Sequence, residues 1–456
     1  MPKINIKEND LTTAGGLSLS SNVVYVPGFV AYINQDNVPT TGFPHLFKTV
    51  NEFTSVFSNK NGDFKYVRTS VDDTTTGYRT IQIEKGTQYA LTLLNLGLPV
   101  LFDPLNESST INKETYGVSD DTIDYTGADS DKKPTDEVLK TKASSLISDK
   151  IKNLKNRNLY DIKFITTGGY ENYSTTMVDE EGKSVTLAQA IINISKSRGD
   201  CTALIDHEEL TTVWGISKST YTKPTFTDGK FGAMFTPWCN FQLPSFEKFQ
   251  KENDRVVKLS PINMPGSFAY LMAYANSIFN NNASWLAVAG ATRGNIPYLI
   301  KPLVELTEAH IDAYSLYNDN YIGIAVNPIA NINPYGTIIW GNRTLHNGTT
   351  GLIASSFLNI RQLCNDIKKN LYAACKGITF EQNSDILWVK FKSLITPLLD
   401  RMQTGEGISG YELKKKKSAG KATLTAVLRI YPIEAVENFE ITLELADEAT
   451  NTTDSL

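Results

Sequence analysis

The sequence has few of the residues that build metal, redox and disulfide sites. Its 456 residues include only four cysteines and four histidines, and no two cysteines form a C-x-x-C pair. A chain of this length buries roughly three quarters of its unfolded surface, so its core needs no disulfides. We therefore expect no metal, no cofactor and four buried reduced thiols. These are Cys201, Cys239, Cys364 and Cys375.

Long apolar runs and an excess of basic charge are also absent. No window approaches 18 consecutive apolar residues, so we expect no membrane insertion. The first residues, MPKINIKENDLTTAGG, lack the apolar stretch of a signal peptide, so we expect none. The net charge is −5, whereas a general nucleic-acid binder is usually basic. We therefore expect no nucleic-acid partner.

The common catalytic and nucleotide-binding motifs are missing as well. The sequence contains no G-x-x-x-x-G-K-[ST], no H-E-x-x-H and no G-x-S-x-G. The run from Gly405 to Gly410 matches G-x-G-x-x-G, but it follows a predicted helix instead of a strand, which favours a flexible loop between two elements. Asp206 and His207 are placed for a dyad, although a surface or capping pair at a strand end is the favoured interpretation. We expect no catalytic residues and no enzyme.

One stretch of the chain is strongly acidic. Residues 103–137 contain ten acidic residues and three lysines, a local net charge of −7, so that the rest of the chain sums to +2. Few apolar residues interrupt this stretch, and the spacing of a calcium-binding loop is absent. It is predicted to be an exposed insertion or a long loop.

The apolar patterns predict a mixed α/β fold with more than one domain. Strand-like and helix-like segments alternate through residues 81–330. Residues 356–376 carry an apolar stripe at steps of three and four, which predicts a helix capped by Ser355 or Ser356 and ended by Gly377.

A second helix and a strand follow. Residues 384–403 repeat the helical stripe, with Ser384 as a cap and Pro397 as the site of a kink. Residues 423–431 alternate between apolar and polar positions, which predicts a strand. The basic run Lys414–Lys417 before it is predicted to lie in a solvated hairpin loop.

Each end of the chain carries a short strand beside a polar arm. Residues 22–26 precede Pro27, which suits an edge strand better than a central one, and residues 438–445 alternate as a strand. A strand with an unpaired edge can pair with another chain. The pattern leaves open whether these strands pair with neighbouring subunits or stay in their own sheet. The candidates for intersubunit pairing are Val23, Val24, Tyr25, Val26, Phe439, Ile441, Leu443 and Leu445.

Several motifs, taken in order, resemble those of the contractile tail sheath proteins of bacteriophages. The segment from Trp340 to Leu345 (WGNRTL) is similar to the family's W-G-x-R-T-L, and residues 357–371 match the helix that follows it. Phe380 begins FEQN, which resembles F-E-P-N with Gln382 at the usual proline. The segment YPIEAVENFEITLEL resembles the closing sheath strand, and VYVPGFV, LGLPVLF, DIKFITTGGY and RGDCTALIDH are similar to upstream sheath segments. The resemblance covers most of the chain.

The resemblance implies a structural subunit that polymerises. Sheath subunits of this family stack as hexameric rings around a tail tube, and the sheath contracts to drive the tube through the host envelope. The implied partners are further copies of the chain, a tail tube protein, and baseplate and tail terminator proteins. The implied location is the virion, in the phage tail, after synthesis in the host bacterial cytoplasm. Alternatives are a sheath of a non-phage contractile injection system, another virion structural or receptor-binding protein, and an enzyme with an unrecognised site.

The resemblance also implies an α/β architecture of four regions. These are an N-terminal arm and exchanged strand at 1–26, an outer α/β body at 27–330, an inner tube-facing domain at 331–437, and an exchanged strand and polar tail at 438–456. The inner domain is expected to have two helices and a sheet completed by strands from neighbouring subunits. Lys390, Lys392 and Arg401 are candidates for contact with the tube, because they are basic residues on an otherwise apolar helix.

Overall fold

An eight-stranded sheet forms the centre of the protein. The computed structural model describes residues 22–30, 37, 39–57, 67–73, 78–105, 136–179, 182–217, 220–221, 224–244, 251–252, 255–259, 261–281, 283–315, 325–346, 353–417 and 423–435. In spatial order, the strands of the central sheet are β19 (Gly336–Ile339), β18 (Asn327–Ile332), β12 (Gly232–Thr236), β9 (Thr202–Ile205), β6 (Phe164–Ile165), β1 (Val24–Gly28), β5 (Val100–Pro104) and β2 (His45–Phe47). The six inner strands run parallel, while β19 and β2 pair antiparallel at the two ends.

Helices cover both faces of this sheet, which confirms the predicted α/β fold class. The helices are α1 (Val50–Val56), α2 (Lys85–Asn95), α3 (Asp136–Lys150), α4 (Leu187–Arg198), α5 (Gly266–Asn281), α6 (Gly290–Arg293), α7 (Glu308–Ser315), α8 (Leu358–Ile378) and α9 (Asp385–Thr404). Val24 and Val26 pack in one apolar cluster with α2 and α5, and Tyr25 packs in a second cluster with α3 and α4. The strand therefore reads as a continuous apolar run, because both of its faces are buried.

The prediction of an edge position for the first strand is wrong. β1 pairs with β5 from Val24 to Gly28 and with β6 at Val24 and Tyr25. Pro27 is tolerated in this central strand because β6 has only two residues and its pairing with β1 ends at Tyr25. Val23–Val26 were the proposed N-terminal partners for a neighbouring subunit, and this assignment is also wrong, because both edges of β1 are occupied by strands of the same chain.

Smaller sheets surround the central one. One has four strands, in the order β14 (Lys251–Glu252), β15 (Arg255–Leu259), β4 (Tyr78–Ile83) and β3 (Val67–Asp73). A second has three, in the order β16 (Ile262–Met264), β13 (Cys239–Phe241) and β17 (Leu299–Pro302). Two further sheets are strand pairs, β7 (Thr176–Val178) with β8 (Ser184–Thr186) and β10 (Ile216–Ser217) with β11 (Thr220–Tyr221).

The C-terminal layer consists of α8, α9 and a hairpin of β20 (Ile408–Lys416) and β21 (Thr425–Pro432). The two helices and the later strand confirm the elements predicted from periodicity. Pro397 lies inside α9, and the helix continues for seven residues beyond it to Thr404. The predicted solvated loop at Lys414–Lys417 is wrong at its first three residues, because these belong to β20.

Two further details of α8 differ from the sequence predictions. Its N-cap is Phe357, because Ser355 and Ser356 form a 3₁₀ turn before it, and the helix runs one residue past Gly377.

The expectation of four buried thiols is correct for Cys201 and Cys239. It is wrong for the two cysteines of α8, because Cys364 is half-buried and Cys375 is exposed.

A buried ion pair joins α8 to the central sheet. The Nζ atom of Lys163, next to β6, lies 3.0 and 2.9 Å from the two carboxylate oxygens of Asp366 in α8. Ser284 donates a further hydrogen bond to Asp366, and both members of the ion pair are at most 1% exposed. Desolvation lowers the pKa of Lys163, and the carboxylate of Asp366 opposes this effect.

The sheet and α8 also change the predicted division of the chain. The boundary after residue 26 falls inside β1, and the boundary after residue 330 falls inside β18, so both cut through the central sheet. The C-terminal layer begins instead at α8, whose first half packs against the sheet. The predicted exposed loop at residues 103–137 is wrong at its two ends, because Asp103 is buried in β5 and Asp136 begins α3. Residues 106–135, like residues 1–21 and 438–456, lie outside the described residues.

We predict that Lys163→Met lowers the free energy of unfolding by about 3–5 kcal/mol, because it leaves the carboxylate of Asp366 buried without a countercharge. The double variant K163M/D366L is expected to be more stable than K163M alone, since it removes both charges. Urea denaturation measures both effects. Lys152→Met, in an exposed pair with Asp149, serves as the control and is expected to cost at most about 1 kcal/mol. Equal stability of K163M and K152M contradicts the prediction.

Candidate functional site

The carboxyl edge of the parallel strands is the usual ligand position in an open α/β sheet. Here Glu84, the N-cap of α2, occupies it. Its carboxylate accepts hydrogen bonds from the backbone N–H groups of Gly86 (2.9 Å), Thr87 (2.8 Å) and Phe29 (3.2 Å), and from the hydroxyl of Tyr170. Burial raises the pKa of Glu84, and these hydrogen bonds oppose the rise. The N–H groups that would receive an anionic ligand are therefore bonded to the protein's own carboxylate.

Close backbone packing closes the same edge. A Cβ atom added at Gly86 would lie 2.4 Å from the carbonyl oxygen of Pro27, and one added at Gly168 would lie 2.0 Å from that same oxygen. Both positions require glycine for this reason, and Gly168 also has a φ of +66°. The arrangement is typical of close packing between strand ends and a helix start.

Asp206 and His207 are buried, so they are not a surface pair, but capping is correct for Asp206, which accepts a hydrogen bond from the backbone N–H of Ser267 (3.3 Å) in the first turn of α5. Their side chains bond to different groups and do not form a dyad. The carboxylate of Asp206 accepts a hydrogen bond from Ser267 (2.7 Å), whereas the ring of His207 contacts the hydroxyl of Thr236 (2.9 Å) and stacks on Trp214. Burial raises the pKa of Asp206 to about 7 and lowers that of His207 to about 4. Both residues connect β9 to neighbouring elements.

The glycine-rich run after α9 is a packing turn rather than a flexible loop. Trp285 donates a hydrogen bond from its indole nitrogen to the carbonyl oxygen of Gly405 (2.8 Å). A Cβ at Gly405 or at Gly407 would lie 2.7 or 2.9 Å from the same indole ring. Trp285 was not among the residues identified from the sequence, and its place in the C-terminal apolar cluster is a long-range contact.

The WGNRTL segment fastens α8 to the edge of the central sheet. Asn342 and Asn359 exchange hydrogen bonds of 2.8 and 3.2 Å, and the backbone N–H of Arg343 donates to the side chain of Asn327 in β18 (2.6 Å). Leu345 donates its N–H to the carbonyl oxygen of Gly232 at the start of β12. The motif therefore has a structural role in the position of α8.

The hairpin of β20 and β21 has two faces of different character. Leu413, Leu428 and Ile430 pack on the C-terminal apolar cluster. The register places Glu412 opposite Arg429 and Lys414 opposite Val427, so these residues share the outer face with Lys416. Within the part of the chain that the structure describes, this sheet has two strands, so that each strand has one unpaired edge.

An open apolar groove of about 530 Å³ runs between the hairpin and the two helices. Its apolar lining includes Leu371 of α8, Leu387 and Phe391 of α9, and Leu413 and Leu428 of the hairpin. Phe380 also lines the groove, and its side chain is fully exposed. Such an exposed apolar surface is typical of a site that another polypeptide covers.

The three basic candidates on α9 are exposed, but they do not share one face of the helix. Lys390 and Arg401 are separated by eleven residues, which places them about 20° apart around the axis at 100° per residue. Lys392 is about 200° from Lys390 by the same geometry. Lys390 also forms an exposed ion pair with Glu381 (3.2 Å). The structure therefore groups Lys390 with Arg401 and separates Lys392 from both.

Among the described residues, no three His, Cys, Asp or Glu side chains cluster as a metal site would require. No helix in the described ranges combines the length and apolar character of a membrane span. Phe439, Ile441, Leu443 and Leu445, the C-terminal candidates for strand pairing, lie outside the described residues.

The fold is that of contractile sheath structures. It is similar to a chain of the anti-feeding prophage baseplate, with a TM-score of 0.53, 13% identity and coverage of 98% of this chain and 99% of that one. It is also similar to the contracted helical sheath of the anti-feeding prophage, with a TM-score of 0.51, 13% identity and the same coverage of both chains.

Sequence comparison confirms the resemblance to phage tail sheath proteins. The chain is 30% identical over 166 residues to the tail sheath protein of Vibrio phage KVP40, which covers 36% of this chain and 22% of that protein. It is 24% identical over 243 residues to the tail sheath protein of Enterobacteria phage T4, which covers 50% of this chain and 33% of that protein. The alignments thus span about a fifth and a third of these two relatives. No protein-family model matches the chain.

We predict that Asp206→Asn flattens the pH dependence of stability. The folded pKa of about 7 lies above the unfolded value near 3.9, so the contribution of Asp206 to stability is highest below about pH 4 and falls as the pH rises to about 7. Between pH 5 and 8 the variant is expected to lose about 2–3 kcal/mol less than the wild type in urea denaturation. Asp149→Asn, at an exposed residue, is the control. Parallel wild-type and D206N profiles would contradict the assignment.

Proposed function

We propose that this protein is the structural subunit of a contractile tail sheath, and that it polymerises as hexameric rings stacked around a tail tube. In this proposal the sheath contracts and drives the tube through the host envelope during genome delivery. The fold and the sequence similarity to tail sheath proteins support it. The single observation that carries the polymerisation mechanism is the two-stranded hairpin, which lines an open apolar groove and has an unpaired edge on each strand within the described residues.

The C-terminal strand of a neighbouring subunit is the proposed occupant of this groove. Residues 438–445 place Phe439, Ile441, Leu443 and Leu445 on one face and Glu440, Thr442 and Glu444 on the other. A strand added to the hairpin would bury its apolar face in the groove. Its two glutamates would then lie on the outer face, beside the lysines and arginine of the hairpin. Main-chain hydrogen bonds would supply affinity and the alternate side chains would supply specificity.

The N-terminal segment proposed for exchange is shorter than the sequence predicted. Since β1 belongs to the subunit's own central sheet, only residues 1–21 stay candidates for exchange with a neighbour. Asn22 is held within the subunit, because its side chain accepts a hydrogen bond from the hydroxyl of Tyr274 (2.8 Å).

The remaining parts of the assembly are proposed from the same similarity. The proposed partners are further copies of the chain, a tail tube protein, and baseplate and tail terminator proteins. The proposed location is the phage tail, after synthesis in the bacterial cytoplasm. No catalytic role is proposed. A sheath of a non-phage contractile injection system is the alternative, because the similar folds include the anti-feeding prophage.

We predict that Leu443→Asp abolishes polymerisation and leaves a folded subunit, because it would place a charge in the apolar groove. Thr442→Asp is the matched control. It adds the same charge one residue away, on the opposite face of the strand, and is expected to leave polymerisation intact. Negative-stain electron microscopy and sedimentation measure the polymer, and circular dichroism measures the fold. Polymers of equal yield from both variants would contradict strand addition in this groove.

The tube-facing candidates require a separate test. We predict that K390E/R401E, which reverses two charges on one side of α9, weakens assembly on the tube protein without unfolding the subunit. Lys392→Glu tests the other side of the helix. Co-sedimentation with a co-expressed tube protein measures the effect, and Glu381→Gln controls for loss of the ion pair with Lys390. If all of these variants assemble on the tube like the wild type, α9 does not contact the tube through these residues.

A further inference from the structure

Three basic side chains surround the aromatic ring of Phe231, which lies just before β12. The guanidinium carbon of Arg361 is 4.8 Å from the ring centre, the Nζ atom of Lys230 is 5.8 Å from it, and that of Lys368 is 5.9 Å from it. Arg361 and Lys368 are two turns apart on α8 and therefore project from the same face of the helix. Lys230 comes from the 3₁₀ turn Gly229–Phe231. We refer to Lys230, Arg361 and Lys368 as the basic cluster.

No carboxylate within the described ranges pairs with the basic cluster. Arg361 is 6% exposed, and its Nε atom donates a hydrogen bond to the neutral side chain of Asn365 (3.1 Å). Asp200, whose negative charge acts on Lys368, and Asp228, two residues before Lys230, are each paired with another basic residue. Asp200 contacts Arg198 at 2.9 and 3.1 Å, and Asp228 lies 2.6 Å from Lys196.

The charges of the basic cluster also repel each other. Partial burial lowers the pKa of Lys368, and the positive charges of Arg361 and Lys230 lower it further, while Cys364 and Asp200 oppose this shift. Cation–π contact with Phe231 offsets part of this repulsion, by roughly 0.5–2 kcal/mol for each cation. A buried guanidinium without a countercharge is nevertheless costly, so the isolated subunit leaves this site electrostatically incomplete.

We propose that the basic cluster binds a carboxylate side chain from a second copy of this chain and so forms an intersubunit contact. The planar guanidinium of Arg361 matches the two oxygens of a carboxylate, and the exposed Lys368 beside it gives access from solvent. This inference rests on the proposed function, because it requires the subunits to polymerise.

The chain itself carries the complementary charge. Residues 103–137 hold a net charge of −7, although Asp103 already pairs with Lys150 of its own chain (2.6 Å). The rest of the chain sums to +2. In a polymer of identical subunits, a contact between two different surfaces repeats at every step, so one basic site and one acidic partner per chain suffice. The basic cluster and the groove beside the hairpin occupy different parts of the subunit, since the cluster lies near the first half of α8 and the groove near its second half.

Charge reversal tests this contact. The double variant K230E/K368E is expected to raise the concentration needed for polymerisation at least about tenfold, because two attractive contacts become repulsive. Lys376→Glu on the same helix is the control for charge, and its polymers are expected to match the wild type. Lys376 is exposed and contacts Tyr372 instead of Phe231. Circular dichroism checks that each variant is folded.

Carbodiimide cross-linking identifies the partner directly, because the reagent joins a lysine amine to a nearby carboxylate. Polymers are made from equal amounts of ¹⁴N- and ¹⁵N-labelled chains and analysed by mass spectrometry. The expected products are mixed-isotope peptides that join Lys230 or Lys368 to an aspartate or glutamate. Same-isotope links alone at these lysines would overturn the proposal.

The outcomes separate this contact from the proposed function. A polymer that forms equally well from K230E/K368E and from the wild type contradicts the contact alone. A wild-type chain that never polymerises, with or without a tube protein, contradicts the proposed function and this contact with it.

Discussion

The attachment of α8 to the central sheet is the contact on which the rest of the structure depends. The first half of the helix is held by the ion pair between Asp366 and Lys163, and by a hydrogen bond from Asn365 to Thr202 at the start of β9. The same helix carries the apolar residues, from Leu363 to Ile378, that form a cluster with α9 and the hairpin. Because one continuous helix carries both sets of contacts, it fixes the position of the hairpin relative to the sheet. A buried ion pair adds little net stability, so we infer that its value is the fixed geometry.

At the carboxyl edge of the sheet, the protein's own groups occupy the position where many α/β folds bind a ligand. An open parallel sheet with a helix N-terminus at this edge is a common arrangement for binding phosphates and cofactors. In this protein the carboxylate of Glu84 takes the helix N–H groups, and Pro27, Gly86 and Gly168 bring the backbone segments into contact. The fold therefore does not by itself indicate an activity, and function must be argued from particular surfaces. Those surfaces are the hairpin, its groove and the basic cluster.

The sequence predicted local elements better than long-range contacts. The steps of three and four in α8 and α9 and the alternation in β21 follow directly from helix and strand geometry, so these elements were predicted close to their observed bounds. The central position of β1 was missed because a short apolar run has the same pattern in an isolated strand and in a parallel interior strand. Lys163 and Asp366 are 203 residues apart in the chain, and Trp285 is 120 residues from Gly405. No local pattern indicates such pairs.

For the candidate site, the sequence likewise indicated single segments but not the surfaces that they form together. The alternation of residues 438–445 indicated a strand suited to pairing, but the groove that would receive it requires two helices and a hairpin in their folded arrangement. The basic residues of α9 could be found in the sequence. Their positions around the helix axis show that Lys392 lies on the side opposite Lys390 and Arg401. The basic cluster could not be found locally, because Lys230 and Arg361 are 131 positions apart and meet only through Phe231.

The charges on the outer face of the hairpin bear on how pairing is kept specific. An unpaired strand edge is a general hazard, since any extended segment can add to it. In the proposed assembly, the apolar groove accepts only a strand with apolar residues at alternate positions, and Lys414, Lys416 and Arg429 favour one whose other face is acidic. Residues 438–445 meet both conditions in one register. A slip by one residue would turn Glu440 and Glu444 into the groove and place apolar side chains beside the lysines. The same two features that attract the strand would therefore also exclude its misaligned forms.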